Sequence, residues 1–94
     1  MKVFAIATPA AGMDKLGPHL PAEVPATLQL YLSGEIEQFW FQDGAGPIFL
    51  LNAASVDDAK ATLATLPLVE HGLMTYQFIP VGPLAPLGLL LAGK

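Results

Sequence analysis

The stretch "EIEQFWFQDGAGPIFLLNAA", residues 35–54, decides the fold. Its first half alternates Ile36, Gln38, Trp40 and Gln42 against Glu37, Phe39 and Phe41, the period-two pattern of a half-buried strand. "DGAG" (43–46) then supplies the glycines of a hairpin turn. "PIFLLNAA" (47–54) is apolar at successive positions, as a strand buried on both faces would be. A hairpin of two unequal strands therefore sits at the centre of the chain.

Outward from the hairpin, each side adds one helix and one strand. Upstream, "HLPAEVPATLQLYLSG" (19–34) reads as a helix, with Pro21 in the first turn and Gly34 as its stop. Val24, Leu28, Tyr31 and Leu32 follow helical spacing and are expected on its buried stripe. Before it, "PAAGMDKLGP" (9–18) reads as a long loop, and "KVFAIAT" (2–8) as a central strand, apolar on both faces. Downstream, "SVDDAKATLATLPL" opens with Ser55 as N-cap and Asp57 and Asp58 near the positive helix end. Val56, Ala59, Leu63 and Leu66 are expected to form its buried stripe, and Pro67 to end it. "LMTYQFIP" (73–80) is the fourth strand, with Met74, Tyr76 and Phe78 on one face.

The order β-α-β-β-α-β is the ferredoxin-like α+β arrangement, an antiparallel four-stranded sheet with two helices on one face. The 94 residues make a single domain, with 81–94 an apolar tail expected at a subunit interface. Two helices cover only one sheet face, and the other is apolar in strands one and three. A second copy of the chain is the simplest cover, so a homodimer or higher homo-oligomer is expected. The composition agrees: 53% of residues are hydrophobic and only 13% charged, at a mean hydropathy of +0.54. That is more apolar surface than a monomer of this size readily hides.

The same numbers exclude several functions. Net charge is −4, there is no arginine, and Lys2, Lys15, Lys60 and Lys94 are dispersed, so a nucleic-acid partner is not expected. No polybasic segment recommends an anionic membrane. Residues 72–93 carry no charged side chain, but Gly72, Pro80, Gly82, Pro83, Pro86 and Gly88 break them too often for a spanning helix. "MKVFAIATPAAG" mimics a short signal peptide; its apolar run is brief and ends at Pro9, so it reads as the first strand. A cytoplasmic protein is expected. The absence of cysteine removes disulfides, thiolate catalysis and Cys-ligated metals.

Few side chains remain that could do chemistry. His19 and Glu23 lie four apart at the start of the first helix and can share a face. They are a base with its tuning partner, or a capping and dipole arrangement. Glu70 and His71 stand between two apolar segments, where a wet turn ahead of Gly72 is the plainer reading and an inward-pointing His71 the functional one. Trp40 offers ring surface and an N–H to a pocket, or anchors a core or dimer interface. Tyr76 is a similar candidate. Asn52 in an apolar strand is a pocket hydrogen-bonder, or marks the strand's wet end. No metal site is expected, because two histidines and scattered carboxylates show no ligand spacing. Haem ligation by His71 finds no other support, and no cofactor is expected.

The element order, the helix ending at Gly34, the strand bearing Trp40, and "ASVDDAKATLATLPL" closing in Leu66-Pro67-Leu68 resemble the muconolactone delta-isomerase family. The likeness runs roughly from Lys2 to Pro80, and it is more loosely similar to YCII-like proteins. Trp40, Glu23 and Leu66-Pro67-Leu68 are the positions that line up. Where the family carries basic residues beside the tryptophan, this chain has Phe39, Phe41 and Gln42. The resemblance implies a dimeric α/β barrel of eight strands with ligand pockets between sheet and helices. It implies a cofactor-free enzyme that moves a proton next to a carbonyl of a small cyclic or aromatic compound, with His19 or Glu23 as base. Non-catalytic binding or structural work, and cofactor-free oxygenation of an aromatic, are the alternatives on the same fold.

Overall fold

The computed structural model describes residues 1–82. The tail from residue 83 onward, expected at a subunit interface, lies outside the described residues. Strands β1 (Lys2–Pro9), β2 (Ile36–Gln42), β3 (Gly46–Asn52) and β4 (Met74–Val81) form one antiparallel sheet in the order β2-β3-β1-β4. Helical segments are α1 (Met13–Leu16), a 3-10 turn (Gly17–His19), α2 (Leu20–Leu32), α3 (Val56–Leu63) and α4 (Pro67–Glu70). The architecture is ferredoxin-like, with the central strands β1 and β3 each held on both sides.

Pairing register assigns every strand residue to a face, because paired residues point the same way. Val3, Ala5 and Ala7 of β1 sit beside Leu51 and Phe49 of β3 and beside Phe78 and Tyr76 of β4. This face meets the helices. Val3, Ala5, Phe49 and Leu51 join Ala59 and Leu63 of α3 in the main buried cluster, with Ala26 and Leu30 of α2 packed against it. Small residues on β1 let α3 approach the sheet closely, and the larger Phe49 and Leu51 fill the space between. A smaller cluster of Ala7, Leu16, Leu68 and Met74 closes one end.

The other face carries Phe4 and Ile6 of β1 and Ile48 and Leu50 of β3, all half-buried. Outside them lie Gln38 and Gln42 on β2 and Thr75 and Gln77 on β4. An antiparallel sheet facing water normally alternates apolar with polar residues. Here the two central strands do not alternate, and each edge strand adds one large apolar side chain among its polar ones on this face, Trp40 on β2 and Ile79 on β4.

Four local expectations change. First, strict alternation put Ile36 on the face of Trp40. A register shift between Ile36 and Gln38 instead pairs Ile36 with Leu51 and places it, 1% exposed, on the helix face with Phe39 and Phe41. One extra residue in a strand has this effect, since side chains alternate with period two. Second, Val24, Leu28, Tyr31 and Leu32 are not the buried stripe of α2: Val24 is 61% exposed and Leu32 69%. The buried line is Glu23, with Ala26 and Leu30 packed on the core, an i, i+3, i+7 line beside the expected i, i+4, i+7, i+8 one. Third, the loop expected at 9–18 contains α1 and the 3-10 turn. Fourth, Pro67 does not end a helix but starts one. The chain leaves α3 at Leu63, Leu66 is extended at ψ 138°, and Pro67 takes the first position of α4, where its missing N–H costs nothing.

The Ser55 cap forms as expected: its hydroxyl accepts the Asp58 N–H at 3.0 Å, and Asp58 Oδ2 accepts the Ala54 N–H at 3.1 Å. Gly34 ends α2 at φ 87°, a left-handed turn in which Glu35 N–H reaches the Leu30 carbonyl at 3.0 Å.

Candidate active site

Because α2 buries its Glu23 line, its neighbouring apolar line stands away from the sheet. A cleft of about 800 Å³ opens there, walled by α1 and α2 on one side and by β2 and the hairpin turn on the other. Met13, Val24 and Leu28 line the helical wall, and Phe39, Phe41 and Pro47 the strand wall. Phe49, Leu68 and Met74 reach it from the buried clusters. Tyr31 of α2 closes edge-on against Phe39 at a ring separation of 5.0 Å. Gly46, at φ 110°, brings its backbone within van der Waals reach of Ala7 and Met74 there. A Cβ at that position would lie 3.4 Å from Ala7 Cβ and 3.5 Å from Met74 Cε.

Glu23 is the carboxylate among the cleft's described residues, and it is only 7% exposed. Its Oε1 accepts the backbone N–H of Leu68 at 2.9 Å, tying α2 to the start of α4. That bond is possible because Pro67 opens α4, leaving the first-turn N–H of Leu68 without an intrahelical acceptor. Burial pushes the Glu23 carboxyl above the usual carboxylate range, and the Leu68 bond offsets this only in part. A carboxylate in an apolar cleft, with raised proton affinity and one oxygen already held, has the properties of a positioned base.

Tyr76 lies behind the cleft floor, its ring stacked on Phe49 at 5.7 Å. Its hydroxyl is buried and has no hydrogen-bond partner among the described residues. Burial first, and then the Glu23 charge, push the phenol's pKa up, so it stays neutral.

The other candidates fall elsewhere. His19 ends the 3-10 turn and does not bond Glu23; its ring lies 4.3 Å from that of His71. His71 caps α4, its Nδ1 2.8 Å from the Pro67 carbonyl, and Gly72 follows at φ 71°, so the Glu70-His71 pair is a helix end. Trp40 borders the cleft through its strand, but its ring stands on the opposite sheet face beside Phe4, 5.9 Å away. Asn52 is at the far end of β3. It donates to the Gly34 carbonyl at 3.0 Å and accepts from Lys2 at 2.6 Å, while Lys2 also pairs with Glu37. The structure thus joins Glu23 to the cleft with Tyr76 behind it, and joins His19 to His71, without bringing the two pairs together.

Sheet order and helix placement define the class, a ferredoxin-like α+β domain with a cleft between sheet and helices. Among solved structures, the chain is similar to 5-chloro-2-hydroxyhydroquinone dehydrochlorinase (TftG) from Burkholderia phenoliruptrix AC1100, in complex with 2,5-dihydroxybenzoquinone. The TM-score is 0.72 at 14% identity, over 87% of this chain and 94% of that one. At that identity the likeness is one of fold. No family model matches the chain, and no curated protein matches it by sequence. No helix among the described residues is long and apolar enough to cross a membrane.

Proposed function

We propose that the protein is a small-molecule enzyme that moves a proton next to the carbonyl of a small cyclic or aromatic compound. The observation that carries the reading is Glu23, a buried carboxylate of raised pKa in an otherwise apolar, aromatic-walled cleft. Its carboxylate removes the proton from the carbon beside the carbonyl, and the C–H electron pair passes into an enolate. The resulting acid exchanges its proton with solvent and protonates a conjugated carbon, which completes the isomerisation with no net change in composition or charge, or the original carbon in reversal. Low water access raises the base strength of Glu23, and Phe39 and Phe41 offer flat apolar walls to a ring. The dehydrochlorinase on this fold, solved with a dihydroxybenzoquinone, supports a cyclic carbonyl substrate. His19 enters this reading only if its ring turns from His71 toward the cleft.

The assembly proposed with it is a homodimer through the uncovered sheet face. Its apolar centre of Phe4, Ile6, Ile48 and Leu50, extended by Trp40 and Ile79 and flanked by Gln38, Gln42, Thr75 and Gln77, supports an interface.

The test is a panel of quinones, hydroxylated aromatics and unsaturated lactones, scored by thermal shift and by solvent deuterium incorporation at the α-carbon. Incorporation by the wild type, reduced by ~10²–10⁴-fold in Glu23→Gln, supports the assignment. Binding without exchange in either protein would leave a binding module, and binding of none would end both readings.

A further inference from the structure

The two histidines of the chain are 52 positions apart in sequence, yet their rings lie 4.3 Å apart, tilted by 38°. We infer that His19 and His71 form a two-imidazole site for a late first-row divalent metal ion, copper, nickel or zinc. The inference stands apart from the cleft chemistry.

Three observations support it. A metal about 2.1 Å from each ring nitrogen sits about 3.2 Å from each ring centre, so two imidazoles at roughly 90° around it have centroids about 4.5 Å apart. The observed spacing is close to that, and the rings are tilted rather than parallel. Second, the tautomer of His71 is set. A carbonyl oxygen can only accept, so the 2.8 Å contact to Pro67 O makes Nδ1 the donor and leaves the Nε2 lone pair free. A backbone carbonyl bonded to the far ring nitrogen is the usual support of a metal-binding histidine, because it fixes the ring and raises its basicity. Third, His19 sits at the N-cap of α2 without spending its side chain on a capping bond.

Ligand type selects the ion. Imidazole nitrogen suits copper, nickel and zinc, while magnesium and calcium want oxygen. No group of three or more His, Asp or Glu occurs among the described residues, so the other coordination positions fall to water or an external ligand. Copper should bind most tightly and zinc less so. The ion would join the start of α2 to the end of α4, the same two elements that Glu23 and the Leu68 N–H already tie together. Binding therefore stiffens the wall that holds Glu23.

The test uses the untagged chain, stripped of metal, with Cu²⁺, Ni²⁺, Zn²⁺ and Mg²⁺ added separately. Saturating Zn²⁺, which is diamagnetic, should shift the ring-nitrogen NMR signals of both histidines together. Saturating Zn²⁺ should raise the melting temperature by on the order of 5–10 °C, with Mg²⁺ inert. His19→Ala and His71→Asn should each abolish the shift; the asparagine amide can still donate toward the Pro67 carbonyl. A shift that persists in either variant, or a ring-nitrogen change at one histidine alone, would overturn the site. So would the absence of any response to Cu²⁺ below millimolar concentration. The ring-nitrogen shifts are read on the wild type, so the result does not depend on the variants folding.

Discussion

In the proposed reaction, Glu23 is set for reactivity at the expense of stability. Its folded-state pKa lies above the usual value, so the neutral acid suits the fold and the carboxylate does not. On this group's account, stability is fully present below the ordinary carboxylate range and is lost as pH rises through the raised folded pKa. The proposed activity runs the other way, because its base must be ionised. Turnover is therefore expected to climb with pH through that raised pKa while the melting temperature slips, measurable in paired pH profiles. Glu23→Gln keeps an oxygen for the Leu68 N–H and removes the charge. Its stability at neutral pH should match or exceed the wild type by ~0.5–2 kcal/mol in denaturant melts, even as turnover fails. Tyr76 makes a parallel case. Its buried hydroxyl lacks a partner, so Tyr76→Phe should be neutral or stabilising by up to ~1 kcal/mol in the same melts. A simultaneous loss of ligand affinity would identify the phenol as a donor to the ligand.

At the scale of elements, ends and offsets matter more than propensity. The Ser55 cap was legible because Ser-x-x-Asp ahead of an apolar stripe is a local signal; the Ser55 hydroxyl accepts the Asp58 N–H, and the Asp58 carboxylate reaches back to the Ala54 N–H. Ser55→Ala is expected to cost ~1 kcal/mol in chemical denaturation, with the site unaffected. The offset of β2 was not legible. Nothing in "EIEQFWFQ" marks the residue at which the register shifts, because the bulge is set by pairing with β3. The same holds for α2, which has two apolar lines side by side. The sequence pattern favours the longer aliphatic one, Val24 to Leu32, whereas the helix turns Glu23 inward because the Leu68 N–H waits there as a donor. An acidic residue on a buried face is a weak signal, readable only as a polar break in an apolar stripe. It was found through the family likeness and its spacing from His19, not through burial.

At the scale of the whole molecule, the uncovered sheet face is the dominant feature. Trp40 stands on it at 46% exposure, with Phe4 beside it. A charge at that position would have to be desolvated in a two-fold interface. Trp40→Asp is therefore expected to turn a dimer into a monomer in sedimentation velocity, with the monomer's secondary structure intact. A wild type that stays monomeric at high micromolar concentration would remove the barrel assembly from the proposal.

The chain's own pattern was enough to determine the strand and helix order, the ferredoxin-like class, the hairpin and the Ser55 cap. Each is written in periodicity or in residues within four positions of one another, where the physics is local. Tertiary structure alone decided that Glu23 faces inward, that Trp40 and Glu23 lie on opposite sides of the sheet, and that His19 meets His71. Those facts depend on register, on the angle at which α2 leaves the sheet, and on contacts closed across some fifty residues. Such contacts are set by which surfaces can be buried together, and a linear pattern carries that information only weakly.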